Sequence, residues 1–293
     1  MHKNCMSFNV HVTGTTQSQC QLMKHNRLYQ IFEENDKSFF ERNTPKYLHF
    51  DQINCHKCKP FYTEFEETEY GCDCSMLPDD REDCKDFHEA GHRVNGIYKL
   101  NPDTGAFLAY CVMTELGGGW TVIQQNRRKM YGNKKYFYQR PIKVAENGFD
   151  IGNLRHHHWL GLAKVKKILE LSSHNELLME VVGIDGEKGF AKYDMFDLMD
   201  NDYALKIGKK IAGNLPDSLK VYNNSKFYPS SPNVHKCAWN YRSLWWYHDD
   251  VDCFSVNLNM VSGTATEYKI YWKDWPTPGR HELEQARMMF RRK

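Results

Sequence analysis

The stretch Cys237–Asn259, CAWNYRSLWWYHDDVDCFSVNLN, places three adjacent aromatic residues between two cysteines. These residues are Trp245, Trp246 and Tyr247. Neighbouring side chains alternate across a strand and spread around a helix, so three adjacent rings cannot share one buried face. Aromatic side chains build flat ligand pockets as well as cores. We therefore expect at least one of the three rings to face outward or to line a cavity.

Composition excludes several classes of function. The chain has 293 residues, enough for one domain of about 200 residues and a smaller piece. Its formal net charge of +2 creates no long-range field that would recruit nucleic acid or a membrane surface. No run of about 18 apolar residues occurs, so the sequence predicts no membrane span. The sequence lacks the catalytic signatures G-x-S-x-G and H-E-x-x-H and a phosphate-binding glycine loop. We therefore expect that the protein is not an enzyme.

The cysteines indicate an oxidising compartment. The chain contains ten of them, and such closely spaced cysteines are typical of secreted proteins. The N-terminus MHKNCMSFNV, however, lacks the apolar region of a signal peptide. We therefore expect that the chain comes from a secreted extracellular protein and that its N-terminal part is incomplete. The sequon Asn223-Asn224-Ser225 agrees with secretion and makes Asn223 a candidate glycosylation site.

Hydrophobic periodicity predicts an α+β domain in the larger C-terminal part. Alternating β-formers predict strands at 120–124, 177–185, 203–207, 268–272 and 286–290. One amphipathic helix is predicted in GLAKVKKILEL, residues 161–171, where apolar residues recur at helical spacing. Between about Ser225 and Gly263 the periodicity fades, which is typical of a functional loop region that needs an external staple.

A series of words kept in order carries a family resemblance. EDCKDFHEAGHRVNGIYKLNP is followed by FLAYCVM, GGGWTVIQQ, GFDIGNLRHHHWLGL, GNLPDSL, KCAWNYRSLWWYHDDVDC, VNLN and YKIYWKDW. Residues 82–293 thereby resemble the fibrinogen C-terminal, or fibrinogen-related, domain of ficolins, tachylectins, angiopoietins and tenascins. The resemblance implies a twisted antiparallel sheet, few short helices and an irregular, disulfide-stapled binding region.

The resemblance also implies disulfides and a ligand site. The implied disulfide pairs are Cys84 with Cys111 and Cys237 with Cys253, and each closure would contribute about 3 kcal/mol in the loop-entropy model. In the family, a small pocket beside a calcium ion takes an acetyl group, an acidic sugar or a peptide end. Its floor uses backbone amides near the second cysteine. The corresponding residues here are Tyr241, Trp245, Trp246, Tyr247, Cys253 and Phe254.

Three departures from the family pattern concern this site. The segment Phe227–Ala238, FYPSSPNVHKCA, has no carboxylate where the family binds calcium with aspartates, so we predict that the usual calcium site is lost and that no cofactor is held. Phe254 replaces a common histidine, and Met260 replaces a glycine. The longer loop HDDVDC carries Asp249, Asp250 and Asp252, which form either a substitute cation site or a solvated acidic loop.

Two smaller segments precede this domain. Residues 1–50 contain CMSFNVHVTGTTQSQCQL, which resembles the second half of a PAN/Apple domain, with Cys5 and Cys20 as its cysteines. Residues 51–81 are interpreted as a cysteine-containing linker or the remnant of an epidermal-growth-factor-like repeat. The spacing of Cys55, Cys58, Cys72 and Cys74 is compatible with disulfides and, as the less favoured alternative, with a four-thiolate zinc site.

Two functional hypotheses follow. The first is a secreted, non-catalytic recognition protein of innate immunity or cell adhesion, which binds glycans of the acetylated-sugar type or cell-surface ligands through the loops around Cys237–Cys253. The alternative is an adhesion or signalling module that contacts extracellular proteins and has a degenerate small-ligand pocket. No coiled-coil heptads are visible, so an oligomer would form through sequence that is not present here.

Overall fold

The computed structural model describes most of the C-terminal two thirds of the chain. It covers the backbone of six N-terminal strands up to residue 72 and then residues 73–74, 81–102, 105–127, 141–150, 154, 157–199, 201–248, 253, 255–259, 270–277 and 282–293. The chain divides into two compact units, Met1–Gly119 and Trp120–Lys293.

The first unit is built from short antiparallel pairs and one parallel contact. Its strands are β1 (Ser7–Val12), β2 (Thr15–Cys20), β3 (Met23–Lys24), β4 (Arg27–Leu28), β5 (Lys59–Tyr62), β6 (Tyr70–Asp73), β7 (Gly96–Leu100) and β8 (Phe107–Val112). Strands β7 and β8 form an antiparallel hairpin, and β6 runs parallel to β7. The Cys84–Cys111 disulfide ties helix α1 (Cys84–Glu89) to β8, with 5.5 Å between the Cα atoms.

The second unit contains the principal sheet and the candidate site. Its strands are β9 (Trp120–Arg127), β10 (Phe149–Asp150), β11 (His158–Trp159), β12 (Asn175–Gly183), β13 (Lys188–Tyr193), β14 (Phe196–Met199), β15 (Ala204–Ile207), β16 (Lys210–Ala212), β17 (Phe227–Tyr228), β18 (Trp245–Trp246), β19 (Val256–Asn257), β20 (Tyr271–Trp272) and β21 (Leu283–Arg292). The sheet order is β16–β13–β12–β21–β9, and all these neighbours are antiparallel. Strand β11 pairs with both β9 and β10.

The central strands of the principal sheet are buried on both faces. In β12, Leu177, Met179 and Val181 are buried on one face, and Leu178 is buried on the other face, from which Glu176 and Glu180 pair across to β21. Residues on both faces of β21 are buried, and Met288 and Met289 have no exposed surface. The principal sheet therefore has protein packed on both of its faces.

The part of the chain that the structure describes contains few helices, and all of them are short. They are α1, α2 (Ile142–Asn147), α3 (Leu162–Leu169) and α4 (Lys236–Asn240), with 3₁₀ turns at Glu115–Gly117 and Ser218–Tyr222. Helix α3 buries Leu162, Val165, Ile168 and Leu169 along one face, as the helical spacing predicted. Among the described residues, no helix is long and apolar enough to cross a membrane.

The predicted elements are largely confirmed within this α+β fold. The strands predicted from 120, 177, 203 and 286 appear as β9, β12, β15 and β21. Of the strand predicted at 268–272, only Ile270 onward lies among the described residues, and β20 covers its end. Cys74 is buried and disulfide-bonded, which argues against a thiolate zinc ligand at that position. The side chains of Cys5, Cys20, Cys55, Cys58 and Cys72 lie outside the described residues.

Candidate functional site

The Cys237–Cys253 disulfide closes the loop that contains the aromatic triplet. Its Cα atoms are 5.5 Å apart, and the two cysteines are 16 positions apart in sequence. Cys237 belongs to helix α4, whereas Cys253 is half-buried and precedes strand β19. The bond removes conformational freedom from the unfolded loop, which stabilises the folded state by about 3 kcal/mol.

All three rings of the triplet are buried, so the expectation that one would face outward or line a cavity is wrong. Trp245 and Trp246 are 0% exposed and Tyr247 is 1% exposed, so the three rings have essentially no contact with solvent. Trp245 and Trp246 form the two-residue strand β18, which pairs with β17. Successive side chains of a strand point to opposite faces, and both faces of β18 are covered.

Trp246 lies in an aromatic cluster. Its ring centroid is 5.1 Å from that of Phe227, 5.2 Å from that of Trp245 and 6.0 Å from that of Trp159. Its indole Nε1 donates a hydrogen bond of 2.8 Å to the carbonyl oxygen of Tyr203. These packed rings form the buried core beneath the loop region.

Tyr247 directs its hydroxyl into a buried polar network. Its Oη lies 2.6 Å from Ser243 Oγ, and Asn257 Nδ2 donates to both oxygens, at 2.6 Å and 2.8 Å respectively. Burial raises the pKa of the Tyr247 hydroxyl well above its ordinary value, so the group stays neutral. The hydroxyl is therefore committed to internal hydrogen bonds.

The hydroxyl of Tyr222 is hydrogen-bonded to backbone amides that follow the second cysteine. Its Oη accepts hydrogen bonds from the amides of Ser255 and Val256, at 3.0 Å and 3.4 Å, and donates to Cys253 O at 3.3 Å. The resemblance implied that amides near this cysteine form the floor of a pocket. Two of them are used by an internal phenol instead. Phe254 lies outside the described residues.

The loops are also tied to the principal sheet. Gln124 Nε2 and Asn126 Nδ2, which lie on the same face of β9, both donate to the carbonyl oxygen of Leu258, at 2.7 Å and 3.0 Å. Asn259 donates its backbone amide to Asn257 Oδ1 at 3.0 Å. The segment 255–259 is thus anchored to β9 by two side-chain amides and is held by a hydrogen bond of its own.

Exposed apolar and aromatic side chains surround helix α4. Trp239 is 41% exposed and Val234 is 45% exposed, while Tyr241, which ends the helix, is half-buried. We refer to the exposed side of helix α4 that carries Trp239 as the α4 surface. It is stapled to Cys253 at one end and lies within the segment that also contributes the buried rings.

The donor set of Phe227–Ala238 does not fit a calcium ion. The segment has no carboxylate, and the Ser230 hydroxyl is directed to Ala238 O at 3.2 Å. Calcium takes six to eight oxygen ligands, with carboxylates supplying the charge. Among the described residues, no group of three or more His, Cys, Asp or Glu is placed to hold a metal ion. Asp249, Asp250 and Asp252 lie outside the described residues, so the substitute cation site stays a hypothesis.

Asn223 is half-buried and has a structural role in a turn. Its Oδ1 accepts a hydrogen bond of 2.9 Å from the amide of Ile207, and Ser225 of the same sequon is 4% exposed. Glycosylation at Asn223 remains a prediction.

Sequence reasoning missed the residues that organise this region. It predicted irregular structure where α4 forms, and it did not single out Tyr222, His235 or Trp239. A five-residue helix carries too little periodicity to be detected. The contacts of Tyr222 join residues more than 30 positions apart, so no local pattern marks them.

Comparison with known proteins identifies the family to which this fold belongs. The family model of the C-terminal globular domain of fibrinogen beta and gamma chains matches residues 80–293. The chain is 31% identical over 221 residues to mouse (Mus musculus) angiopoietin-related protein 6, covering 71% of this chain and 46% of that protein. It is 30% identical over 198 residues to ryncolin-4 of Cerberus rynchops, covering 64% and 54%. The chain thus spans about half the length of the curated relatives that it matches.

A solved structure agrees with this match. The fibrinogen-like globe domain of human ANGPTL6 superposes with a TM-score of 0.62 at 28% identity, covering 74% of this chain and 99% of that chain. The antiparallel sheet, short helices and two disulfides described above are features of this fold.

Proposed function

Because the chain belongs to the fibrinogen-related family, whose C-terminal globular domain corresponds to residues 80–293, we propose that it is a secreted, non-catalytic recognition protein. It binds a ligand outside the cell through the loop region around Cys237–Cys253. The disulfides at Cys84–Cys111 and Cys237–Cys253 support the extracellular location, since such bonds persist in oxidising compartments.

The α4 surface is the observation that carries this proposal. It presents an exposed tryptophan, Trp239, on a short helix that a disulfide holds in place. Tryptophan and tyrosine are enriched among the residues that dominate binding energies, and rigid placement lowers the entropy lost on association. The α4 surface therefore suits recognition of a macromolecular partner.

The ligand class that the geometry supports best is a cell-surface protein. Trp245, Trp246 and Tyr247 have essentially no accessible surface with which to enclose an acetyl group. The amides of Ser255 and Val256 are already bonded to Tyr222. A flat protein interface centred on Trp239 needs neither feature.

An acetylated sugar is the second candidate ligand. The observation in its favour is Tyr241, which is half-buried, donates its backbone N–H to the carbonyl oxygen of Cys237 at 2.9 Å, and belongs to the residues that the family resemblance marks for ligand binding. A small sugar would contact Tyr241 without entering the buried aromatic cluster.

Binding of the oxidised full chain to intact cells tests the proposal. The chain, biotinylated and tetramerised on streptavidin for avidity, is expected to label cells, and protease treatment of the cells should abolish the labelling. Trp239→Ala should weaken binding at least about tenfold. Ile184→Ala, an exposed apolar residue in the β12–β13 turn, is the matched control and should leave binding unchanged.

The same assay separates the alternatives. Labelling that survives protease and is competed by N-acetylglucosamine would assign a glycan ligand and point to Tyr241. Equal binding by the Trp239→Ala and Ile184→Ala variants would reject the α4 surface. Absence of labelling on every cell type tried would reject the recognition function itself.

A further inference from the structure

The imidazole ring of His235 is held between two tyrosine rings. Its centroid is 4.4 Å from that of Tyr228, with 29° between the planes, and 5.4 Å from that of Tyr247, with 8° between the planes. Tyr228 belongs to β17, and Tyr247 directly follows β18. The three stacked rings therefore join the two edges of this small sheet to the segment that leads into α4.

His235 also caps helix α4. Its Nδ1 lies 3.2 Å from the backbone nitrogen of Cys237. A backbone N–H only donates, so Nδ1 is the acceptor, and the neutral imidazole carries its proton on Nε2. The first amides of a helix lack partners within the helix, and an acceptor at this position stabilises its first turn.

The two roles act on the same short segment. The cap holds the amide of Cys237, one member of the disulfide, while the stack holds the ring that carries the cap. Ser230 adds a third contact by donating to Ala238 O at 3.2 Å. The segment 227–238 is thus ordered by neutral side chains, in a stretch whose donor set does not suit a calcium ion.

We propose that His235 is the positioning residue of the loop region and orders residues 227–238 and helix α4 without a metal ion. Its consequence for Trp239 rests on the proposed function, whereas the ordering itself does not. Loss of either the stack or the cap frays the first turn of α4. Loss of both frays this turn further, although the disulfide at Cys237 remains.

Hydrogen exchange of the full oxidised chain, read by mass spectrometry, tests the proposal. Protection of amides 236–241 is expected to be the same in calcium chloride and in EDTA. His235→Phe keeps a ring for stacking but removes the acceptor, and His235→Asn keeps a capping acceptor but removes the ring. Each should speed exchange of these amides about fivefold, and His235→Ala should exceed both.

Two controls separate a local effect on α4 from a global loss of stability. Val234→Ala changes the preceding exposed residue and should leave exchange unchanged. Amides of β21 report on the global fold, and their protection should persist in every variant. If His235→Ala lowers protection of β21 as well, the two single-role variants decide the outcome.

Two results would overturn the proposal. One is a gain of protection at 236–241 when calcium is added to the wild-type chain, which would assign the ordering to an ion. The other is unchanged exchange in His235→Ala. Neither depends on a ligand, so a failure to bind cells leaves this test intact, and fast exchange with retained cell binding would separate the two proposals.

Discussion

The guanidinium carbon of Arg291 lies 4.2 Å from the centroid of the Trp120 indole ring. Trp120 is fully buried, and Arg291 Nε also donates to Glu176 Oε1 at 2.7 Å. Lys192 Nζ reaches the other carboxylate oxygen of Glu176 at 2.8 Å and lies 5.6 Å from the same indole centroid. A carboxylate on β12 thus organises two cations over a tryptophan of β9, across the middle of the principal sheet.

The first prediction concerns the pH dependence of this network. Burial by itself favours the neutral acid, but hydrogen bonds and charges from Lys192 and Arg291 outweigh it and hold the pKa of Glu176 below its ordinary value. Because the folded-state pKa is depressed, the contribution is present above the ordinary value near 4.5 and is lost as pH falls through the folded-state pKa. Glu176→Gln should therefore lower the free energy of unfolding by about 2 kcal/mol at pH 7, and by progressively less under acid conditions.

Urea unfolding at neutral and acid pH measures this difference. The exposed Glu187→Gln change in the β12–β13 turn is the control and should have little effect at either pH. A Glu176→Gln deficit that does not shrink in acid would show that shape, and not charge, accounts for the effect.

The second prediction contrasts two tryptophans of the loop region. Trp246 is fully buried among aromatic rings, so Trp246→Ala should cost about 3–5 kcal/mol in unfolding free energy. Trp239 is 41% exposed, and Trp239→Ala should change stability by less than about 0.5 kcal/mol. Thermal unfolding of both variants measures this difference between a core residue, Trp246, and a surface residue, Trp239. Similar losses in the two variants would contradict this assignment.

The third prediction concerns Tyr222. Tyr222→Phe removes the hydroxyl that serves the amides of Ser255 and Val256 and leaves these buried donors without that acceptor. We expect a destabilisation of about 1–3 kcal/mol, measured by urea unfolding, with faster hydrogen exchange at 255–257. Tyr241→Phe, at a half-buried ring, is the matched control. Unchanged exchange at 255–257 would mean that these amides are held by other groups.

The fourth prediction concerns Gly189 in β13. A Cβ atom at this position would lie 2.5 Å from Leu215 Cδ2 and 2.7 Å from Trp275 Cε2, too close for either neighbour to remain in place. Gly189→Ala should therefore destabilise the protein by about 1–3 kcal/mol in urea unfolding. Trp275→Phe in the same chain should restore part of this loss, because the smaller phenyl ring removes atoms of the clashing indole. Additive losses in the double variant would refute the steric explanation.

Local pattern was sufficient for the elements with long apolar repeats. Strands β9, β12 and β21 and helix α3 each carry enough alternation or helical spacing to be predicted from their own residues. The Cys84–Cys111 and Cys237–Cys253 bonds were implied by the family resemblance, and both are present. Within the candidate site, the same reasoning located the stapled segment but mistook the environment of its rings.

The sequence by itself determined the family, the α+β class, the principal strands and the lack of carboxylates between Phe227 and Ala238, because these follow from residue types and their spacing. Only the tertiary structure decided that Trp245 and Trp246 are buried on opposite faces of β18, that Tyr222 bonds the amides after Cys253, and that His235 stacks between Tyr228 and Tyr247. Burial and stacking depend on which distant segments pack over a side chain. That information belongs to the folded chain and not to any local run of residues.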